Sequence, residues 1–427
     1  QATALPIIVK DKKNLIAQAH HGSGKTGTFV MTMLSIIDYN KKTLQGLILC
    51  HSRELAIQTV DVILNLGIYY TELTVYTGVP GKEPPTPWNA QICVGTPGTL
   101  LHKVITRGNL KGFLNDFKIL VIDEADEFLK RNETSQQKFK INKFGKKIPI
   151  QSRSLCDQML DIYDRICVNT KPKAFQKLLF SATFPKKVKA MAAKIGQPNA
   201  VFIELKKSEV GLANIKLFKI NCESESNNNG INNNAHNNNI NTENNKFKTL
   251  VTLMSIGKVG QSIVFVNTIE KAKTLIKKLD NKGFKCSALY GRDMKPVIRD
   301  ETMSQFREGN TICLIASNVI ARGIDVPSVN LVINYEIPIE LKSVINSNNN
   351  NKKTGLLFDS ETFMHRVGRC GRFGARGVCV NLVDNIKDAN NLGYILQDFS
   401  LKCDNLSMNI KDIKKSLLSW LKIDNDN

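Results

Sequence analysis

No two cysteines in this chain stand in C-x-x-C spacing, although ten are present. None of them clusters with the six histidines. A zinc site and a disulfide framework are therefore excluded as organising features, and a reducing compartment is expected. Long apolar runs are missing too: none approaches the roughly 20 residues of a membrane span, so no membrane partner is expected. No secretory leader is visible, and the chain opens on Gln1 rather than Met, which leaves its natural start open. Acidic residues are scarce, 38 Asp and Glu against 59 Lys and Arg, for a formal net charge of +21 and a pI near 9.5. That excess suits a polyanion. Nucleic acid fits better than a lipid surface, because no basic amphipathic anchor stands out.

What is present reads as α/β. A chain of 427 residues is long for one domain, and two are the better expectation. Short apolar runs alternate with amphipathic stretches, the pattern of a mainly parallel sheet covered by helices. In the first half the strand candidates are Leu15–Ala19, Gly46–Cys50, Gln91–Gly95, Ile119–Asp123, Leu178–Ser181 and Ala200–Leu205. The second half repeats the plan with Lys216–Ile220, Ser262–Asn267, Cys286–Tyr290, Ile312–Ser317, Leu331–Tyr335 and Val378–Val383. A first domain over 1–205, a linker over 206–213 and a second domain over 214–427 follow. Two asparagine tracts, Asn227–Asn245 and Asn346–Lys353, bury too little apolar surface to offset the entropy of ordering, which predicts mobile surface loops. The stretch Lys130–Pro149 reads as a milder polar excursion.

The residues 19–26, AHHGSGKT, lie between a strand-like and a helix-like run. Phosphate binding there needs inward backbone N–H groups, a cation and a hydroxyl for Mg²⁺. Gly22 and Gly24 permit close approach, with Ser23 between them; Lys25 supplies charge and Thr26 a metal ligand. Taken alone, the stretch also fits a Gly-rich turn. About a hundred residues later, VIDEADEFL (121–129) ends an apolar strand in two carboxylates. Asp123 fits a residue that holds Mg²⁺ through water, and Glu124 one that polarises an attacking water.

The combination A-x-x-G-x-G-K-T and D-E-A-D resembles the DEAD-box RNA helicases of helicase superfamily 2, in which alanine is the expected first residue of the loop. The resemblance covers almost the whole chain, with the motifs in order. Gln1, with Pro6 behind it, is similar to the glutamine that reads adenine. HSRELA (51–56) resembles the P-T-R-E-L-A motif, with His51 in place of proline. TPGT (96–99) and SAT (181–183) match the next motifs, and IVFVNT (263–268), SNVIARGID (317–325) and HRVGRCGR (365–372) follow in the second half. The Q-x-x-R motif aligns with Pro296–Arg299, keeping the arginine but losing the glutamine.

The resemblance implies two tandem RecA-like domains closing on ATP, Mg²⁺ and single-stranded RNA. It implies nucleotide contacts from Gly323 and Asp325, and RNA contacts from Arg53, Thr96, Gly98, Arg299 and Ser317. Such contacts mostly touch phosphates and sugars and fix register without reading sequence. Ser181, Thr183 and His365 are implied to couple ATP to RNA. Arg369 and Arg372, three apart and read as one helical face, would act as fingers on the γ-phosphate. Asn318, the TPGT variant and the long segment Glu340–Ser360 resemble the nuclear-pore mRNA-export branch, the translation-initiation branch being the close alternative. The export branch implies a Gle-type activator with inositol hexakisphosphate, a cytoplasmic nucleoporin, and a monomer in cytoplasm and nucleus at the nuclear pore. An ATP-gated RNA clamp with little turnover shares the same motifs, and a DNA helicase is disfavoured by them.

Overall fold

The computed structural model describes residues 1–18, 23–106, 110–129, 139–141, 147–149, 153–170, 175–196, 199–204, 212, 214–223, 235–256, 260–290, 294–317, 326, 328–345, 352–371 and 375–422. The chain divides into two compact units, Gln1–Leu205 and Lys206–Asn427. Of the expected linker 206–213, only Leu212 lies within the described residues.

In the first unit the elements run β1 (Leu15–Gln18), α1 (Lys25–Ile36), β2 (Gly46–Leu49), α2 (Arg53–Leu66), β3 (Val75–Gly78) and β4 (Ile92–Gly95). Then come α3 (Pro97–Leu100), α4 (Leu110–Phe113), β5 (Ile119–Ile122), α5 (Ala125–Leu129), and a small antiparallel ribbon of β6 (Phe139–Ile141) and β7 (Lys147–Pro149). The unit closes with α6 (Leu155–Thr170), β8 (Gln176–Ser181), α7 (Lys186–Gly196) and β9 (Val201–Ile203). Seven strands form one parallel sheet in the order β3-β4-β2-β5-β8-β1-β9. Its central strands are apolar on both faces, as helices on both sides require. Ile48, Ile119 and Val121 pack on one face with Phe29 and Val30 of α1. Leu47, Leu49, Leu120 and Ile122 pack on the other with Met159 and Ile162 of α6.

The second unit repeats the design. Its elements are β10 (Ile215–Asn221), α8 (Ala235–Met254), β11 (Gln261–Val266), α9 (Ile269–Asp280), β12 (Cys286–Leu289), α10 (Pro296–Arg307), β13 (Cys313–Ser317) and β14 (Val329–Asn334). There follow an antiparallel hairpin of β15 (Ile339–Ile345) and β16 (Lys352–Phe358), then α11 (Ser360–Val367), β17 (Gly377–Val383), α12 (Ile386–Asp398), β18 (Cys403–Leu406) and α13 (Ile410–Leu421). The sheet order, β12-β13-β11-β14-β17-β10-β18, matches that of the first unit position for position. The expected strands therefore all form, within a residue or two of their bounds. The added edge strands β3 and β18 escaped the sequence reading; β18 (CDNL) lacks the apolar run that marks a strand, because an edge strand pairs on one side only and β18 is half-exposed along its length.

Two expectations are corrected. The tract Asn227–Asn245 is not a loop over its second part: residues 235–245 are the first turns of α8, and 227–234 lie outside the described residues. The reason is tertiary. Leu250 and Leu253 of α8 are fully buried in the core of the second unit, and Lys246 is buried against Asp384 at 2.6 Å. Glu243 accepts a hydrogen bond from the Tyr335 hydroxyl at 2.8 Å and pairs with Lys271 at 2.9 Å. Once that end is anchored, each further residue adds a hydrogen bond without a new nucleation cost. The second tract also gives way at its end, where Lys352 and Lys353 begin β16, paired with Ile345 and Val344; residues 346–351 lie outside the described residues.

Candidate functional site

Parallel strands deliver their C-terminal ends to one edge of a sheet, which is where open α/β folds place ligands. In the first unit that edge carries, in order along the sheet, Thr96 after β4, His51 and Arg53 after β2, Asp123 and Glu124 after β5, Ser181 at the end of β8, and Gln18 at the end of β1. Motifs far apart in sequence become neighbours because β2, β5, β8 and β1 are hydrogen-bonded in register.

Residues 19–22, with the predicted Gly22, lie outside the described residues. The chain resumes at Ser23 and Gly24, and Gly24 caps α1 with φ 85°. That left-handed backbone favours glycine, and a Cβ there would stand 2.5 Å from Gln1 Nε2, the movable end of an exposed side chain. Gln1 therefore lies directly on the loop, its amide 3.4 Å from the Gly24 carbonyl oxygen. Lys25 and Thr26 form the first turn of α1, where free backbone N–H groups and the helix dipole favour an anion. The Ser23 hydroxyl is buried and has no hydrogen-bond partner among the described residues.

Asp123 and Glu124 are both buried. Burial pushes the Asp123 carboxyl up to about 7; the Lys25 charge pulls it down, and the Glu124 charge pushes it up again. A buried carboxylate set beside a lysine, a phosphate-type loop and a second acid is suited to a cation, which would relieve the burial cost. Glu124 takes φ 52°, a left-handed conformation uncommon outside glycine, and its N–H donates to Asp123 Oδ1 at 3.0 Å. Its Oε2 lies 3.2 Å from His51 Nδ1.

The SAT segment is wired to the DEAD helix. The Ser181 hydroxyl accepts from the Asp126 N–H at 3.2 Å and donates to the Thr183 carbonyl at 2.7 Å. The Thr183 hydroxyl donates to Asp126 Oδ2 at 3.0 Å. Gln18, at the end of β1, donates to the Ala182 carbonyl at 3.1 Å. Asp126 and Gln18 were missed by sequence reasoning. Asp126 stood in plain view as the third acid of the motif, but its role needs the turn of α5 to aim it. Toward the far end of the edge, Arg53 opens α2, whose cap is Ser52, and donates to the Pro80 carbonyl at 2.5 Å. Thr96 caps α3, its hydroxyl 3.3 Å from that of Thr99, and Gly98 lies within α3.

In the second unit, Ser317 ends β13 with its hydroxyl buried and without a partner among the described residues. Arg299 sits in the first turn of α10, just after Pro296. His365 is buried on α11. Arg369 lies past the end of α11, off the helical face expected for it. Helix α11 ends at Val367 with Gly368 as its cap, and the Arg369 Nε donates to the His365 carbonyl at 2.9 Å. Gly323, Asp325 and Arg372 lie outside the described residues. The arginine that sequence reasoning passed over is Arg366, the largest fully buried side chain. It donates to Asn334 Oδ1 at 3.1 Å, the Glu336 carbonyl at 2.6 Å and Asn267 Oδ1 at 2.8 Å, and its guanidinium lies 5.2 Å over the Phe265 ring. It ties α11 to the ends of β11 and β14, a structural task inside a motif read as functional.

Known proteins share this arrangement. Residues 1–191 match the DEAD/DEAH box helicase family and residues 245–374 the helicase conserved C-terminal domain. The ATP-dependent RNA helicase DBP5 of Mycosarcoma maydis is 33% identical over 418 residues, covering 97% of this chain and 77% of the relative. Among solved structures, S. cerevisiae Dbp5 bound to RNA and ADP BeF3 superposes with a TM-score of 0.76 at 32% identity, covering 98% of this chain and 92% of that one. A variant of S. cerevisiae Dbp5 bound to Nup159, a Gle1 variant, IP6 and ADP gives a TM-score of 0.60 at 30% identity, over 99% and 94%. With its D-E-A-D strand end, its SAT segment and the start of α1 gathered on one sheet edge, and with a second unit of the same sheet topology, this chain belongs to the DEAD-box family of ATP-dependent RNA helicases.

Proposed function

We propose that the chain uses ATP to bind and release single-stranded RNA, remodelling short duplexes or RNA–protein complexes, and that it does so in mRNA export at the nuclear pore. The first domain, 1–205, would bind nucleotide; the second, 214–427, would follow a linker over 206–213. The observation that carries the reading is the row of strand ends on which Gln1, Lys25, Asp123, Glu124 and Ser181 meet. Support for the export role is the likeness to the Dbp5 proteins, one of them held with Nup159, Gle1 and IP6. A nucleoporin, a Gle-type activator and inositol hexakisphosphate are the corresponding partners here.

In this reading Gln1 recognises adenine, and Ser23, Gly24 and Lys25, with Gly22, hold the phosphates. Gly323 and Asp325 add contacts from the second domain. Thr26 and Asp123 would hold Mg²⁺, which supplies charge neutralisation on the phosphates when bound. Glu124 takes a proton from the attacking water. The water oxygen bonds to the γ-phosphorus as the bond to the bridging oxygen breaks and its electron pair leaves with ADP. Arg369 and Arg372 contribute positive charge to the γ-phosphate. Arg53, Thr96, Gly98, Arg299 and Ser317 hold the RNA backbone. Ser181, Thr183 and His365 link the two ligands, a role for which the Ser181–Asp126–Thr183 hydrogen bonds provide a path from the D-E-A-D strand end.

Two substitutions in the one site test the proposal. Lys25→Ala should weaken ATP binding and leave RNA poorly held. Glu124→Gln should still bind ATP yet hydrolyse it slowly, so RNA should be retained longer than by the parent. RNA dissociation rates measured with ATP present distinguish the two. Parent-like release from both variants would remove nucleotide gating from the mechanism, and normal turnover in Glu124→Gln would remove Glu124 from water activation.

A further inference from the structure

Glu124 has a fixed backbone and a long side chain with several torsions of its own. The register of β2 against β5 pairs Leu49 with Ile122, so the residues two positions beyond each strand end, His51 and Glu124, leave the sheet side by side. The strand ends are pinned by the Cys50 N–H donating to Gly95 O at 2.9 Å and the Asp123 N–H donating to Leu49 O at 3.2 Å. Across that short gap His51 Nδ1 stands 3.2 Å from Glu124 Oε2, with both side chains nearly sealed from solvent, 7% and 5% exposed. The approach is at ion-pair distance without full hydrogen-bond alignment, and catalytic contacts of this kind tighten when the substrate complex forms. The family's motif has proline at position 51, which offers no side-chain donor. The contact is thus a property of this chain's own sequence.

We propose that His51 is a positioning residue for ATP hydrolysis, holding the Glu124 carboxylate in the rotamer that meets the attacking water. The inference rests on the reading of Glu124 as the group that takes the water proton. His51 keeps its own proton throughout and supplies an N–H to one carboxylate oxygen. Restricting a side chain that must accept a proton at a defined point is the kind of orientation on which rate depends steeply.

The test uses RNA-stimulated ATP turnover by the full chain with Mg²⁺ and saturating RNA. His51→Leu keeps roughly the bulk and removes the donor; His51→Asn keeps an N–H near the Nδ1 position. His51→Leu should lower kcat by about tenfold to a hundredfold, the upper end being the usual effect of displacing a catalytic group by about 1 Å. KM for ATP should stay within about twofold, because the lost interaction is made in the transition state and not in ATP binding. His51→Asn should recover most of kcat. The double variant His51→Leu/Glu124→Gln should be no slower than Glu124→Gln alone, since His51 acts only through Glu124. ATP-dependent RNA retention, which needs the fold but not hydrolysis, is measured on every variant. Should His51→Leu lose it, His51→Ala against His51→Asn gives the same comparison. An unchanged kcat in the donor-less variant, an equal loss in His51→Asn, or additive losses in the double variant would overturn the assignment. Normal turnover in Glu124→Gln would instead overturn the underlying reading, and the positioning role with it.

Discussion

A carboxyl held near pH 7 by its surroundings leaves a mark on stability as well as on chemistry. Asp123 stands at about 7 in the folded chain, against an ordinary 3.8, chiefly because it is buried. Over that interval the folded state keeps a proton that the unfolded state has given up. Ionising the folded group therefore costs stability progressively as pH rises from about 4 to 7, the reverse of a salt-bridged aspartate. Below that window the cost is absent, and above it the cost is complete. Asp123→Asn removes the group, so without nucleotide its stability should gain on the parent's across this window, by an amount on the order of a few kcal/mol at most. Urea unfolding at a series of pH values measures the gap, and a gap that stays flat from pH 4 to 8 would mean Asp123 ionises in place without penalty. The neighbouring Lys25 is one reason the penalty is not larger. The D-E-A-D motif made these acids legible in the sequence. Their burial, and the left-handed turn at Glu124, were not, because both depend on what α1 and β2 bring alongside.

Helix α8 shows composition losing to packing. Asparagine is a poor helix former, and a tract of it reads as a loop, yet residues 235–245 continue a helix whose far end carries Leu250 and Leu253 into the core. Two substitutions separate the helical assignment from a loop. Leu250→Ala should destabilise the second unit by about 2–5 kcal/mol through the cavity it leaves. Asn244→Ala, at an exposed position within α8, should stabilise by about 0.5 kcal/mol from propensity alone. In a loop, that second change would alter nothing measurable in denaturant unfolding. The end of α11 carries a related lesson. A three-residue spacing between arginines predicted a shared face, but the helix stops at Val367, and Arg366, inside it, is tied to the ends of β11 and β14.

At the scale of the molecule, charge dominates. A net +21 and contacts expected on phosphates rather than bases imply that RNA affinity is largely an electrolyte effect. Log affinity for single-stranded RNA, measured with a non-hydrolysable ATP analogue, should fall linearly with log salt at a slope of roughly −0.7 per phosphate neutralised. Base composition at fixed salt should matter little. A strong preference for one sequence would contradict backbone reading. Among the described residues no helix is long and apolar enough to cross a membrane.

Local sequence determined the strands, their duplication across two halves, and the order of the motifs. These depend on the periodicity of apolar residues and on short stretches of chemistry that need only their immediate neighbours. The pairing of strands separated by dozens of residues was decided elsewhere, since a strand's sequence does not name its partner. Sheet order placed His51 beside Glu124 and Asp126 beside Ser181, and packing of the first residues on α1 laid Gln1 on Gly24. Core packing drew an asparagine tract into a helix, because burying Leu250 and Leu253 outweighs the weak local preference of the residues that precede them. The motifs could be read one at a time, but their mutual contacts follow from long-range register and burial.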